Sequence, residues 1–248
     1  MSIIAINGKI SSGKDTVGKI VQYLTSECGD INNKSYRDYE TFVSRGGGSA
    51  PRQHDFHYQS NWEIKKFAGK LKTIASLLTG IPVEKFEDQE FKKTYLGKEW
   101  SRDVMPISQE YVVNQDMTVR DFLQILGTEG LRDGLHTNVW VNALMCDYKF
   151  THYLIGEFDT KLTDTMGVNP NWVITDMRFP NELEAVKAKY GITISVVRHQ
   201  FETANFKPLH ASETALDGHI FDYYIVNDGT IEDLIKKVRQ ILKEEGII

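Results

Sequence analysis

The chain is 248 residues long, with 29 Lys and Arg against 34 Asp and Glu and a net charge of −5. An acidic balance without a dense Lys/Arg run excludes the broad basic surface that a nucleic-acid polymer needs, so any anion is captured locally. Hydrophobic residues at 41% and charged residues at 25% exclude collagen-like and wholly disordered chains.

Ile3 to Ile6 is a short apolar run ended by Asn7 and Gly8, which predicts a strand buried on both faces, as in parallel sheets. It is too short and too soon interrupted for a signal peptide, and no apolar run approaches the ~20 residues of a membrane span. The expectation is a soluble, cytoplasmic protein without a membrane partner. Cys28 and Cys146 match neither a metal spacing nor a redox pair, which fits a reducing compartment.

Gly8-Lys9-Ile10-Ser11-Ser12-Gly13-Lys14 satisfies the pattern Gly-x-x-x-x-Gly-Lys between that strand and a helical segment, the context a phosphate loop requires. Glycines let the backbone wrap close to a polyphosphate, the helix N-terminus contributes its positive dipole end, and Lys14 reaches the outer phosphates. The usual Ser or Thr after the lysine, a Mg²⁺ ligand, is replaced by Asp15, with Thr16 one later. Either can supply the hard oxygen donor that Mg²⁺ prefers.

Residues 28–61 contain no Leu or Met but do contain Gly46-Gly47-Gly48, and are expected to form a partly mobile insertion. Glu63 to Phe67 is a weaker strand candidate, followed by a helix over about Leu71 to Leu78. Thr118 and Asp121 stand three apart before an apolar stripe at Val119, Phe122, Leu123 and Leu126, a capping-box start. Arg120 and Gln124 lie on the opposite side of that helix, and Arg132 lies at or beyond its end. Another helix begins near Asn138, and 156–171 reads as an irregular excursion.

Trp172 to Thr175 is a second buried strand, ending in Asp176-Met177-Arg178. An Asp at the carboxyl end of a parallel strand sits on the rim where open α/β sheets bind ligands. It can hold a metal or act near the attacking oxygen, and Arg178 can neutralise phosphate; a plain Asp–Arg pair or a helix cap is the alternative. Pro180 to Tyr190 reads as a helix with Pro in its first turn and Gly191 at its end, then come strands at Ile192 to Val197 and Tyr223 to Val226. Thr230 and Asp233 cap a last helix from Ile231. Strands alternating with helices predict an α/β architecture with a parallel sheet of about five strands.

Several blocks together resemble the bacteriophage deoxynucleoside monophosphate kinases, a branch of the phosphate-loop kinases. They are Gly8 to Thr16 with its Gly-Lys-Asp-Thr ending, Phe67-Ala68-x-x-Leu71-Lys72, Leu123-Gln124 to Gly127-Thr128-Glu129, Trp140-Val141, Asp176-x-Arg178 to Glu182, Arg198, His210-x-Ser212-Glu213 and Asn227-Asp228-Gly229-Thr230. The resemblance implies a three-layer kinase fold over one domain, 1–248, with an acceptor-binding helical region at about 68–150. It also implies Mg²⁺-assisted transfer of the ATP γ-phosphate to a deoxynucleoside monophosphate, serving dNTP supply, and is compatible with a homodimer. Carried over by position, Gly8, Ser11, Ser12, Gly13, Lys14, Asp15, Thr16, Arg198, Asn227 and Asp228 serve ATP. Asp15 or Thr16 serves the metal, and Lys72, Gln124, Gly127, Thr128, Arg132, Trp140 and Glu182 serve the acceptor. Asp176 and Arg178 join Lys14 at the transferring phosphate.

The stretch from Arg198 to Leu209 holds only Arg198 and Lys207, a poor Arg-rich lid, so water exclusion is expected from 28–61 or 156–171. The competing readings are another small-molecule kinase and a non-catalytic nucleotide-binding module.

Overall fold

A computed structural model describes residues 3–32, 34, 36–48, 58–104, 112–149, 151–154, 165–168, 170–199 and 214–248. Contacts divide the chain into two units, Met1–Phe67 with Met145–Ile248, and Ala68–Leu144.

The first unit is organised by strands that are apolar on both faces. β1 (Ile3–Asn7), β2 (Trp62–Lys65), β7 (Asn171–Met177), β8 (Ile192–Val197) and β9 (Tyr223–Val226) form a five-stranded sheet in the order β2-β7-β1-β8-β9. Every pairing in it is parallel. Ile3, Ile4, Ala5 and Ile6 are all buried, as are five of the six residues of β8, the pattern expected when helices cover both faces. One face carries α1 (Lys14–Leu24) and, near the C-terminus, α7 (Ile231–Glu244), whose Val17, Ile20, Leu24, Leu234, Val238 and Leu242 join Ile4, Ile6, Val173, Ile194 and Ile225 in the core. α6 (Pro180–Lys187) packs against β1 and β8. The architecture is therefore the α/β three-layer arrangement with a central parallel sheet, and all five sequence-predicted strands lie in it.

Local sequence explains most of the boundaries. The Thr230–Asp233 pair forms a full capping box at the start of α7. α6 begins at Pro180, but its left-handed closing residue is Tyr190, with φ 56°, rather than Gly191. The Gly191 N–H donates to the Val186 carbonyl, and a Cβ there would press on the Val186 side chain and on Ile3. The glycine is thus required for close approach to β1, and the turn conformation falls on the residue before it.

The stretch 28–61 contributes more to the core than its lack of Leu and Met predicts. α2 (Tyr39–Ser44) is capped by Asp38, whose carboxylate accepts the Thr41 N–H. Phe42 and Cys28 are fully buried, and Tyr23 of α1 packs edge-on to Tyr39 and against Phe42 at centroid distances of 5.6 and 5.5 Å. Aromatic rings therefore supply the area that aliphatic residues do not. Within 156–171, Thr165–Val168 (β6) pairs antiparallel with Thr151–Leu154 (β5), a hairpin that the irregular reading of the stretch misses. Most of the remaining candidates for water exclusion, and the His210-x-Ser212-Glu213 block, lie outside the described residues.

The second unit has its own core. α3 (Gly69–Thr79) and α4 (Val119–Gln124) contribute Ala75, Val119 and Phe122, which cluster with Phe86 and Met117 and with the partly buried Trp100 and Leu126. The Thr118–Asp121 capping box opens α4. α4 then continues as a nine-residue π-helical segment, Ile125–Asp133, so the helix does not stop at Gly130. α5 (Val139–Met145) follows, and a short antiparallel pair, β3 (Arg102–Val104) with β4 (Val113–Gln115), is an addition that periodicity does not reveal.

Candidate active site

Parallel strands put their carboxyl ends on one rim, and the loops leaving that rim carry the candidate residues of the first unit. The loop between β1 and α1 turns through two left-handed residues, Ser11 with φ 64° and Gly13 with φ 98°. A left-handed serine is uncommon and a left-handed glycine is not, so the strain falls on Ser11. Ser12 is buried, and its hydroxyl has no hydrogen-bond partner among the described residues. Lys14 is buried at the first position of α1, and its Nζ donates to the Lys9 carbonyl at 3.3 Å, folding the side chain back across the loop.

The loop is braced from the far end of the chain. Asn227, just after β9, donates its backbone N–H to the Val197 carbonyl at 2.8 Å and its Nδ2 to the Ser12 carbonyl, also at 2.8 Å. A Cβ on Gly13 would collide with that same Nδ2. Fixing the Ser12 carbonyl on Asn227 fixes the orientation of the neighbouring peptides, and the glycine makes room for it. Asp228, the next residue, accepts from the backbone N–H of His199 at 3.0 Å and pairs with its Nδ1. The His199 side-chain hydrogen bond holds the Asp228 carboxyl below the ordinary carboxylate value. Arg198, between β8 and His199, is half-buried. Asn227 and Asp228 therefore act on the loops of this rim through their hydrogen bonds.

Around the start of α1, Asp15 Oδ1 accepts the Thr175 hydroxyl at 2.9 Å and lies 3.5 Å from Lys66 Nζ, while Thr16 is half-buried. Asp176, at the end of β7, accepts the Phe67 N–H at 2.8 Å through Oδ1. Glu182 is buried in the first turn of α6, and its Oε2 accepts the backbone N–H groups of Arg178 and Phe179 at 2.7 and 3.2 Å. It holds the peptides that present Arg178, which is half-buried beside it.

In the second unit, Lys72 is buried on α3 and ion-paired with Glu87 Oε1. Gln124 is exposed at the end of α4. Gly127, Thr128 and Arg132 all fall in the π segment, and Arg132 is buried at 7% exposure. Trp140 of α5 is buried too, and its indole N–H donates to the Gly127 carbonyl at 2.8 Å. A π segment leaves its carbonyls off the usual α-helical ladder, and such segments recur at functional sites. Trp140 satisfies one of these carbonyls and so ties α5 to the segment that carries Thr128 and Arg132.

Asp15, Asp176, Glu182, Asn227 and Asp228 all belong to the rim that sequence reasoning marks. The structure adds two residues that reasoning missed, Thr175 and Lys66. Both are far from Asp15 in the chain, and neither carries a motif. Among the described residues no cluster of three His, Cys, Asp or Glu side chains is placed to hold a metal, and no helix is long and apolar enough to cross a membrane.

A family model described as deoxynucleotide monophosphate kinase matches residues 83–238, more than half of the chain. The match covers the π segment, α5, β7 to β9 and most of α7, but begins after the loop Gly8–Lys14 and Lys72. Among curated proteins, the deoxynucleotide monophosphate kinase of Escherichia phage RB69 is 28% identical over 131 residues, covering 53% of this chain and 47% of that protein. The protein of the same name from Enterobacteria phage T4 is 25% identical over 131 residues, covering 53% and 48%. The aligned part of the chain thus spans about half the length of these relatives.

Proposed function

The chain belongs to the deoxynucleotide monophosphate kinase family, and from that premise we propose that it phosphorylates deoxynucleoside monophosphates from ATP, supplying diphosphates on the route to dNTPs. The observation that carries the reading is the loop Gly8–Lys14. Two left-handed residues, a buried lysine at a helix start and a carbonyl fixed by Asn227 make a polyphosphate cradle, in a chain whose family is defined outside that loop.

In this proposal the ATP phosphates lie against the backbone N–H groups of Gly8, Ser11 and Gly13, while the Ser12 N–H closes the loop on the Lys9 carbonyl at 3.2 Å, and Lys14 turns from that same carbonyl to the outer phosphates. A phosphate oxygen also gives the buried Ser12 hydroxyl the partner it lacks among the described residues. Arg198, Asn227 and Asp228 serve the donor side, Asn227 by bracing the loop. Lys72, Gln124, Gly127, Thr128, Arg132 and Trp140 serve the acceptor, and Glu182 acts by holding the Arg178 and Phe179 peptides. The acceptor needs no general base, because its phosphate is already anionic. Its oxygen attacks the γ-phosphorus, the bond from that phosphorus to the bridging oxygen breaks, and the electron pair leaves with ADP. Arg178 and Lys14 balance the charge spread over the transferring group, and Asp176 keeps the adjoining β2 end in place.

Asp15 and Thr16 fit Mg²⁺, because that ion takes oxygen donors, usually from one or two carboxylates together with substrate phosphates, rather than a cage of three acidic side chains. When bound it would neutralise charge on the β- and γ-phosphate oxygens.

The test is acceptor-dependent ADP release across all ribo- and deoxynucleoside monophosphates, with and without Mg²⁺. Mg²⁺-dependent turnover with deoxynucleoside monophosphates is expected. Turnover only with other acceptors would make the chain a different small-molecule kinase, and ATP binding without turnover would make it a non-catalytic module.

A further inference from the structure

Lys65 and Lys66 are adjacent, and the structure sends them to different places. The Lys65 ammonium pairs with Glu63 at 2.6 Å and lies 5.3 Å from the centre of the Trp172 ring. Lys66, one residue beyond the end of β2, reaches 3.5 Å from Asp15 Oδ1. Successive residues of an extended chain point in opposite directions, so only one of the two can address the phosphate-loop side of the rim. Two contacts aim Lys66 there. The Asp176 carboxylate accepts the N–H of Phe67 and so fixes the peptide that follows Lys66. The Thr175 hydroxyl holds the same Asp15 oxygen that the ammonium approaches.

Asp15 immediately follows Lys14 in the first turn of α1, the end of that helix to which phosphates are drawn. A cation within reach of Asp15 is therefore within reach of phosphate bound at that helix end. The pair itself is weakly held. Asp15 is 63% exposed and Lys66 27%, so water screens their attraction, and giving up the contact costs little. A flexible four-carbon stem lets the ammonium exchange one carboxylate oxygen for a more highly charged phosphate.

We propose that Lys66 is a phosphate-contacting cation of this site, resting on Asp15 until a polyphosphate arrives and then neutralising charge on the phosphoryl group in transit. The inference rests on the kinase reading above and deepens it. Lys66 moves no proton: the acceptor oxygen forms the new bond to phosphorus, the old phosphorus–oxygen bond breaks towards ADP, and the ammonium stabilises the charge at its position.

The experiment compares Lys66→Ala, Lys66→Arg and Lys65→Ala in the full chain, measuring acceptor-dependent turnover, the thermal midpoint and calorimetric binding of inorganic tripolyphosphate. Lys66→Ala is expected to lower kcat by about 100-fold and to weaken tripolyphosphate binding, with an unchanged midpoint. Lys66→Arg should restore kcat to within about tenfold, because the charge returns with altered geometry. Lys65→Ala, an equal loss of charge one residue away, should leave both kcat and tripolyphosphate affinity within about twofold, since its cation is engaged elsewhere. A folded Lys66→Ala protein with kcat within twofold of the parent, or an equal loss in all three variants, would overturn the proposal. If the parent shows no turnover with any acceptor, the kinase reading fails, and tripolyphosphate affinity then decides for Lys66 alone: equal affinity in the parent and Lys66→Ala overturns it.

Discussion

At the scale of single residues, the candidate phosphate loop was legible because all its parts are consecutive. Its supports were not, because they come from distant segments: Asn227 is 215 residues from Ser12 and Thr175 is 160 from Asp15. The Asn227 brace implies a specific kinetic signature. In Asn227→Ala the Ser12 carbonyl loses its donor, so KM for ATP should rise about tenfold, equivalent to a lost hydrogen bond of about 1–1.5 kcal/mol, while KM for the acceptor stays unchanged. Equal rises in both would show that Asn227 acts more widely than on the loop. Lys14→Ala should lower kcat by about two to three orders of magnitude with the thermal midpoint retained, and an active, folded variant would remove Lys14 from the phosphate site. The family resemblance implies an acceptor role for Trp140. Its ring is buried and its indole N–H donates to the Gly127 carbonyl. Trp140→Phe keeps the ring and removes the donor. It should raise KM for the acceptor and leave KM for ATP unchanged, as steady-state kinetics would report.

At the scale of elements, capping residues and apolar periodicity located all six sequence-predicted helices, because both signals are local. What escaped were pieces too short to show a period, the three-residue strands β3 and β4 and the hairpin of β5 with β6. The π segment was equally hidden, since its hydrogen-bond spacing depends on how α4 is met by its neighbours rather than on any residue type in it. Thr118 is the clearest target at this scale. Its hydroxyl receives the Asp121 N–H at 3.2 Å and donates to the Asp121 carboxylate at 2.6 Å. Thr118→Ala should cost about 1 kcal/mol in chemical denaturation, whereas Thr118→Ser should recover most of it.

At the scale of the molecule, each unit holds its own core, and the second unit's is small. Phe86 is fully buried within it, so Phe86→Ala should cost about 3–5 kcal/mol by chemical denaturation, a large part of the stability of an ordinary domain. Acid should act on the helix starts. The Thr41 N–H and hydroxyl hold the Asp38 carboxyl below its ordinary value, and the Thr230 N–H and hydroxyl do the same for Asp233. A carboxyl whose value is depressed in the folded chain contributes stability above the unfolded value and loses it as pH falls through the folded one. The thermal midpoint should therefore fall as pH drops below the ordinary carboxylate value of about 4, and Asp38→Asn and Asp233→Asn should each flatten that fall. By itself the sequence determined the strands, the helices, the parallel α/β class and the position of the candidate phosphate loop, because each is written in residues adjacent or periodically spaced along the chain. Only the tertiary structure decided that Asn227 braces the loop, that aromatic rings of 28–61 complete the core beside α1, and that Lys66 rather than Lys65 faces Asp15. Those choices depend on which distant segments the sheet brings to one rim, and no local pattern encodes that.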